Sequence, residues 1–204
     1  MLATDNALAC AADLLSHWWS RPAPEELSVW LSAGDMETAV TAQVEGVLSC
    51  PALTVAIGDG KGLLQEYERL FVGPGPVPCP PYESYWREDA PIDVRRSLMG
   101  PCTTDLRCLY QQLGVDVGPS AGELPDHVAV EWEALVYAIR SGSRPVARSL
   151  VVDHLRKWLP RLCRAVGKET GSEFYRRLAD RTVGWLGMFE TGTGPLNGVD
   201  PGPG

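Results

Sequence analysis

Three polar residues lie close enough together in this sequence to form a chemically active group. Asp126 and His127 are adjacent, and Glu131 follows His127 by four residues. Because residues four apart share one face of a helix, His127 and Glu131 are expected to face each other. With Asp126 they would supply an acid–base pair or a metal site. The alternative, which the sequence by itself favours, is that these polar groups cap a helix start and hydrogen-bond to a neighbouring loop.

A proline-rich stretch with aromatic neighbours is the second group that could bind another molecule. Residues 72–81 hold five prolines and two glycines, which excludes a helix or a central strand there. The aromatic residues around the stretch are Tyr67, Phe71, Tyr82, Tyr85 and Trp86. A stiff loop of this kind is typical of surfaces that recognise peptides, but the rings could equally anchor the loop to the core.

The sequence lacks the usual signatures of a catalytic or metal-binding protein. It has no phosphate-binding loop of the G-x-x-x-x-G-K-[ST] type and no H-E-x-x-H motif. Its three histidines, His17, His127 and His154, are far apart, and His154 is expected at the edge of a core. The six cysteines contain no C-x-x-C pair, so zinc binding and redox dithiol chemistry are not expected. Cys79 lies in the proline-rich stretch, where we nevertheless expect a buried thiol.

The composition indicates a globular chain with an excess of acidic residues. The 204 residues are 45% hydrophobic and 22% charged, which is typical of one large domain. The formal net charge of −8 argues against a nucleic-acid partner, because such proteins need basic patches. No apolar run approaches the roughly 20 residues that span a bilayer, and the first residues lack the basic start of a secretory signal. We therefore expect a cytoplasmic protein without a transmembrane segment.

Helical periodicity runs through nearly the whole chain. Hydrophobic residues at spacings of three and four predict helices over 5–19, 25–31, 36–48, 60–71, 92–113, 145–166 and 172–189, and one that opens at 123–127 and ends at Gly142. Pro160 is expected to kink the helix that contains it. The one β-like run, 52–57, is short and has no partner. The sequence thus predicts an all-α domain over 1–190, a single bundle of about eight helices with a long Pro-rich loop, followed by a disordered Gly/Pro tail over 191–204.

Several short motifs, in this order along the chain, resemble the signature of the TorD/DmsD family. They are YERLFVGPG at 67–75 with PPYESYW at 80–86, LPDHVAVEWE at 124–133, DHLRKWLP at 153–160 and SEFY at 172–175. The motifs cover about residues 60 to 185, whereas the first 55 residues match the family in helical character alone. The family consists of cytoplasmic chaperones for molybdenum enzymes of the DMSO reductase class.

The resemblance implies an all-helical, non-catalytic chaperone. Such a protein binds the twin-arginine signal peptide of an apo-molybdoenzyme catalytic subunit and holds back export until the molybdopterin cofactor is inserted. A leader of this kind has a basic region followed by an apolar stretch, so its receptor needs carboxylates beside an apolar groove. The acidic composition and the aromatic loop fit this requirement. GTP or molybdopterin binding has been considered for the family, but no motif in this chain supports a bound cofactor or metal.

The family motifs also assign peptide-binding residues by position. They are Leu70, Phe71, Pro81, Tyr82, Ser84, Trp86, Asp126, His127 and Glu131, with Glu83 as a further candidate. The apolar members would contact the leader or shape its groove, although Leu70 and Phe71 are equally explained as core residues. Asp126 would attract a leader arginine, and His127 would orient it or donate to a backbone carbonyl. Glu131 and Glu83 are weaker candidates for the same basic region.

Three other functions stay open. A related assembly chaperone of the NarJ type would serve a nitrate-reductase-type subunit without export control, and changing both leader arginines to lysine separates the two. A nucleotide- or cofactor-binding enzyme would bind a nucleotide stoichiometrically, and an unrelated helical interaction module would bind no molybdoenzyme. We expect a monomer, with a domain-swapped dimer through the loop at 72–90 as the alternative.

Overall fold

The computed structural model describes residues 3–22, 62–90, 96, 98–117 and 123–187. Its helices are α1 (Ala3–Trp19), α2 (Leu63–Tyr67), α3 (Glu83–Trp86), α4 (Pro101–Gln112), α5 (Val128–Arg140), α6 (Arg144–Ser149), α7 (Arg156–Glu169) and α8 (Glu173–Gly187). Two π-helical segments, Glu68–Val72 and Leu150–Leu155, follow α2 and α6 directly. No strand occurs within the described ranges, and the expected all-α class is confirmed. None of the helices described is long and apolar enough to cross a membrane.

Two helix pairs enclose a common hydrophobic core. α1 packs along α5, α7 packs along α8, and α6 contacts α5. Trp132 and Trp185 are fully buried and pack edge to face, with ring centroids 5.0 Å apart. The indole Nε1 of Trp19 donates a hydrogen bond to Thr182 Oγ1 at 3.1 Å. These two contacts tie α8 to both α5 and α1, so the helix pairs share one core.

The buried face and the start of α1, and the end of α5, follow from simple sequence patterns. Leu8 and Leu15 belong to the apolar face of α1 and are fully buried. Asp5 lies in the first turn of α1, where a carboxylate suits the positive end of the helix dipole, and it pairs with Arg144 at 2.8 Å. α5 ends just before Gly142, whose φ of 74° is the left-handed conformation that closes many helices. The helices predicted over 5–19 and 172–189 are confirmed as α1 and α8.

The helix predicted over 92–113 begins much later than expected. It starts at Pro101 as α4, because Arg96 and Met99 both have positive φ angles that a helix does not allow. Proline is favoured in the first helical turn, where its missing N–H costs nothing. The predicted end is correct, since Gly114 follows α4 with a φ of 72°.

The start of α5 also differs from the expectation. Residues 123–127 precede the helix, which begins at Val128 with His127 as its N-cap. The carbonyl of Pro125 accepts a hydrogen bond from the Tyr110 hydroxyl at 2.7 Å, so this part of the chain is held by tertiary contacts.

The predicted helices over 60–71 and 145–166 each contain a π-helical segment that periodicity did not reveal. The second one is interrupted at Leu150–Leu155, upstream of Pro160, which lies inside α7. A π turn inserts an extra residue into the helix and so rotates the face that follows. The expected kink at Pro160 stays a prediction. The helices predicted over 25–31 and 36–48, the run 52–57 and the tail 191–204 lie outside the described residues.

Candidate peptide-binding site

The proline-rich loop is fastened to the start of α5 by backbone hydrogen bonds. The Val128 N–H donates to the Pro81 carbonyl and the Glu83 N–H donates to the Asp126 carbonyl, both at 2.9 Å. Between them, Tyr82 and His127 form an isolated antiparallel bridge. The loop therefore carries α3 against the N-terminal end of α5, which brings two of the sequence motifs together.

The same loop is also held through Cys79 and Pro80, just before the contacts with α5. The Cys79 N–H donates to the Leu70 carbonyl at 3.0 Å, and the Trp86 indole donates to the Pro80 carbonyl at 2.7 Å. The Cys79 side chain is fully buried, as expected, and burial raises the pKa of its thiol to about 12. The loop is thus an ordered part of the fold.

Asp126 is a fully buried carboxylate that binds α3. Its Oδ2 accepts two hydrogen bonds from Ser84, one from the hydroxyl at 2.5 Å and one from the backbone N–H at 3.1 Å. Its Oδ1 has no hydrogen-bond partner among the described residues. Because hydrogen bonds to a carboxylate are stronger than neutral ones, this pair positions the first turn of α3.

Glu83 forms the second buried polar contact of α3. Its Oε2 lies 2.9 Å from His154 Nδ1, and its Oε1 accepts a hydrogen bond from Arg87 at 2.6 Å. Arg87 also pairs with Asp89 at 2.5 Å, so the guanidinium joins a fully buried carboxylate to an exposed one. His154 is 4% exposed and reaches further into the core than the sequence suggested.

Glu131 does not meet His127 as the sequence predicted. Its Oε2 instead accepts a long hydrogen bond of 3.3 Å from the Trp158 indole, and its Oε1 has no partner among the described residues. Complete burial, reinforced by the nearby charges of Glu83 and Asp126, holds the pKa of Glu131 well above its ordinary value. Glu131 therefore keeps its proton to a higher pH than an ordinary glutamate side chain does.

The capping interpretation of His127 is confirmed. Its Nδ1 accepts a hydrogen bond from the Ala129 N–H at 3.2 Å, which satisfies one of the free donors at the start of α5. Burial lowers the pKa of His127 to about 4, so the ring is neutral at physiological pH. In the part of the chain that the structure describes, no group of three or more His, Cys, Asp or Glu side chains is placed to hold a metal ion.

Most of the sequence-predicted site residues belong to the protein interior. Leu70 and Phe71 are buried, and the Phe71 ring packs against Trp19, Tyr67 and Tyr175. The other buried members are Pro81, Ser84, Asp126, His127 and Glu131. Tyr82 and Trp86 are half-buried, and these two alone among the predicted residues present part of their rings to solvent.

An open groove lies next to this buried group, between α1 and α5. The α1–α5 groove has a volume of about 510 Å³, and its apolar lining consists mainly of Tyr110, Val115, Val117, Val130, Ala134 and Tyr137. Tyr137 is 46% exposed, so its ring is accessible from the groove. Ser16 donates to the Ala129 carbonyl at 3.0 Å and joins the two helices along the groove.

Carboxylates stand around the apolar lining. Asp116, Glu123 and Glu133 border the α1–α5 groove, and all three are exposed. Arg21 also borders the groove, but it is paired with Glu68 at 2.5 Å. The groove is therefore apolar inside and negative at its edge.

Glu123 connects this edge to the predicted site residues. Its Oε2 lies 3.4 Å from the Tyr82 hydroxyl, which donates to it, and 4.0 Å from His127 Nε2. Burial raises the pKa of Glu123, whereas the hydrogen bond from Tyr82 lowers it. Tyr82 and His127 thus lie behind the carboxylate of Glu123, which borders the groove.

Sequence reasoning did not select the three carboxylates of the groove edge. One signal was available, because Val130, Glu133, Ala134 and Tyr137 are spaced by three, one and three residues along one helix. That spacing places them on a single face, and Glu133 and Tyr137 are both exposed there. Asp116 and Glu123 lie in loops, and helical periodicity does not predict where loop residues are placed.

A family model and several known proteins are similar to this chain. The family model described as nitrate reductase delta subunit matches residues 33–164. The Tat proofreading chaperone DmsD of Salmonella typhi is 28% identical over 118 residues, which is 58% of this chain and 55% of that protein. The chain thus spans a little over half the length of this relative.

Two further proteins match over more of the chain. A probable Tat proofreading chaperone DmsD of Haemophilus influenzae is 23% identical over 169 residues, covering 82% of this chain and 75% of that one. The crystal structure of a candidate redox enzyme maturation protein from Archaeoglobus fulgidus superimposes with a TM-score of 0.56 and 25% identity, covering 88% of this chain and 93% of the other.

Proposed function

The chain belongs to the nitrate reductase delta subunit family, and on this premise we propose that it is a maturation chaperone for a molybdoenzyme of the DMSO reductase class. The membership confirms the TorD/DmsD resemblance carried by its motifs. In this proposal the protein acts in the cytoplasm as a non-catalytic monomer. It binds the twin-arginine leader of the apo-enzyme catalytic subunit and delays export until molybdopterin is inserted. It needs no nucleotide or cofactor of its own.

The observation that carries the proposal is the combination of apolar lining and acidic edge in the α1–α5 groove. A twin-arginine leader has cationic residues followed by an apolar stretch. The apolar stretch would cover Val130, Ala134 and Tyr137, and burial of such surface favours binding by about 25 cal/mol per Å². The arginines would pair with Glu123 and Glu133, where guanidinium–carboxylate hydrogen bonds add direction.

The buried motif residues support this groove rather than touch the leader in our proposal. Asp126 and Ser84 fix α3, and His127 caps the helix that presents Glu133 and Tyr137. The remaining family positions, Leu70, Phe71, Pro81, Trp86 and Glu131, hold the loop and the core behind it. Tyr82 is the exception, since its hydroxyl reaches Glu123 at the groove edge.

An assembly chaperone of the NarJ type is the second candidate. The observation in its favour is that the matching family is described as nitrate reductase delta subunit. A protein of that type would bind a nitrate-reductase-type subunit without export control. The same groove would then take an amphipathic segment whose arginines are not essential. The two functions differ in their dependence on the arginine pair.

Isothermal titration calorimetry with leader peptides tests the proposal. The peptides are a twin-arginine leader of a DMSO-reductase-type catalytic subunit, its Lys-Lys version and an unrelated leader. We expect saturable binding of the first peptide and weaker binding of the Lys-Lys peptide, because lysine cannot form the bidentate contact with a carboxylate. Equal binding of both would support the NarJ type. Absence of binding to every peptide would contradict the proposed recognition of a twin-arginine leader.

Substitutions at the groove edge test the site. Glu123→Gln with Glu133→Gln should weaken leader binding about tenfold, since two exposed charge contacts of up to about 1 kcal/mol each are lost. The matched control is Asp105→Asn with Asp180→Asn, two exposed carboxylates on α4 and α8 that lie outside the groove. Equal affinities for the two double variants would show that the leader binds elsewhere.

A further inference from the structure

α7 concentrates positive charge in a chain that is acidic as a whole. It carries five basic residues and one acidic residue, whereas the formal net charge of the chain is −8. Lys157, Arg161, Arg164 and Lys168 are spaced by four, three and four residues, so they follow one face of the helix. We call these four residues the α7 stripe. At a rise of 1.5 Å per residue, the stripe is about 16 Å long.

The α7 stripe faces away from the core. Lys157, Arg164 and Lys168 are exposed and Arg161 is half-buried. The opposite face of the helix packs into the core through Trp158, Leu159, Leu162, Cys163 and Val166, all of which are buried. An open depression of about 500 Å³ is lined by Lys157, Arg161 and Arg164 of the stripe and by Pro160.

The two carboxylates that line the depression are already paired with arginines. Glu88 binds Arg161, and Asp89 binds Arg87 at 2.5 Å. Within the described residues, no hydrogen bond or ion pair links a carboxylate to Lys157 or Arg164. The depression therefore retains positive charge that the fold itself does not neutralise.

We propose that the α7 stripe binds an acidic segment, rich in Asp and Glu, of a protein partner. A linear row of cations matches a partner whose charges repeat along its length, and about five extended residues would cover 16 Å at 3.3 Å each. A single phosphate group is a poorer match, because it needs donors that converge on one point. A long nucleic acid is also disfavoured, because it would extend over the negatively charged remainder of the molecule.

Fluorescence anisotropy with a labelled peptide of about eight glutamates tests this site directly. A glutamine peptide of the same length is the neutral probe, and a single-stranded oligonucleotide of equal charge is the competing polyanion. We expect the glutamate peptide to bind, the glutamine peptide not to bind, and the affinity to fall as salt is raised. The oligonucleotide should compete less well than the unlabelled glutamate peptide.

Charge reversal locates the contact. Lys157→Glu with Arg164→Glu should weaken glutamate-peptide binding about tenfold or more. The control, Arg107→Glu with Arg140→Glu, reverses two exposed arginines outside the stripe and should change the affinity less than about twofold. The milder pair Lys157→Gln with Arg164→Gln should give an intermediate loss and guards against misfolding. Unchanged binding in the stripe variants, no binding by the wild-type protein, or preference for the oligonucleotide would overturn the proposal.

The stripe and the leader site are separable. The depression over α7 shares no lining residue with the α1–α5 groove. The Lys157→Glu, Arg164→Glu variant should therefore bind the leader peptide with unchanged affinity, and the groove-edge variant should bind the glutamate peptide normally. Loss of both activities in either variant would contradict two independent sites.

Discussion

Replacing the buried carboxyl of Glu131 with an amide should change how the stability of the protein depends on pH. Glu131 is fully buried, and the only hydrogen bond of its side chain among the described residues comes from the Trp158 indole at 3.3 Å. Glutamine in Glu131→Gln keeps an oxygen that accepts this bond and is nearly the same size. It differs from the native side chain in having no proton to lose.

The sign and size of the effect follow from the raised pKa of Glu131. Below its ordinary value of 4.5, the folded and unfolded chains are both protonated at this position. Above that value the unfolded chain releases the proton and the folded chain keeps it, so stability falls as pH rises toward the folded-state pKa. One such proton lowers the free energy of unfolding by up to about 1.4 kcal/mol per pH unit. Between pH 5.5 and pH 7.5 the loss is at most about 2.7 kcal/mol.

Urea unfolding at about pH 5.5 and about pH 7.5 measures this difference. The wild-type protein should lose up to about 2.7 kcal/mol more stability over this interval than Glu131→Gln. Glu133→Gln, which changes an exposed carboxylate on the same helix, should behave like the wild type. Identical pH dependence in the wild type and Glu131→Gln would refute the argument that burial keeps Glu131 protonated.

Three further substitutions test the buried contacts. His127→Asn keeps an N-cap acceptor but cannot titrate. Because the pKa of native His127 is lowered to about 4, the free energy of unfolding of the wild type should fall by about 3 kcal/mol as pH falls from 6.5 to 4. Urea unfolding of the variant should not show that loss. Arg87→Ala leaves His154 as the one remaining side-chain partner of Glu83 among the described residues and should lower the free energy of unfolding by about 3–5 kcal/mol, whereas a loss below about 1 kcal/mol would contradict the buried pair. Ser84→Ala removes the hydroxyl bond to Asp126 and should cost about 1.5–3 kcal/mol by thermal unfolding; an unchanged melting temperature would count against it.

Much of the fold is readable from the sequence because helical periodicity is a local property. The apolar spacing in α1 and α8 predicts both helices to within a few residues of their ends. Gly114 and Gly142 correctly mark the ends of α4 and α5. The errors have tertiary causes. α5 begins at Val128 because the residues before it are held by Tyr110 and by the proline-rich loop. The π segments likewise depend on packing that a spacing of three and four does not encode.

The candidate site is less readable, because a motif identifies residues without stating which of their atoms reach the surface. The motifs assign both Ser84 and Asp126 to the peptide-binding residues, and in the structure these two side chains bind each other inside the protein. Of the two interpretations of His127 and Glu131, the structure shows capping by His127, because its ring accepts a hydrogen bond at the start of α5 while the Glu131 side chain contacts Trp158. The exposed groove depends on α1 and on two loops, which no single motif contains.

A charge exchange between protein and peptide tests the central claim most directly. Titration calorimetry would compare the wild type and the Glu123→Lys, Glu133→Lys variant, each with a twin-arginine leader and with a leader carrying two glutamates in place of the arginines. We predict that the variant binds the arginine leader at least about tenfold more weakly than the wild type does, and binds the glutamate leader better than the wild type does. Wild-type affinity of the variant for the arginine leader would contradict recognition of the leader at the acidic edge of the α1–α5 groove.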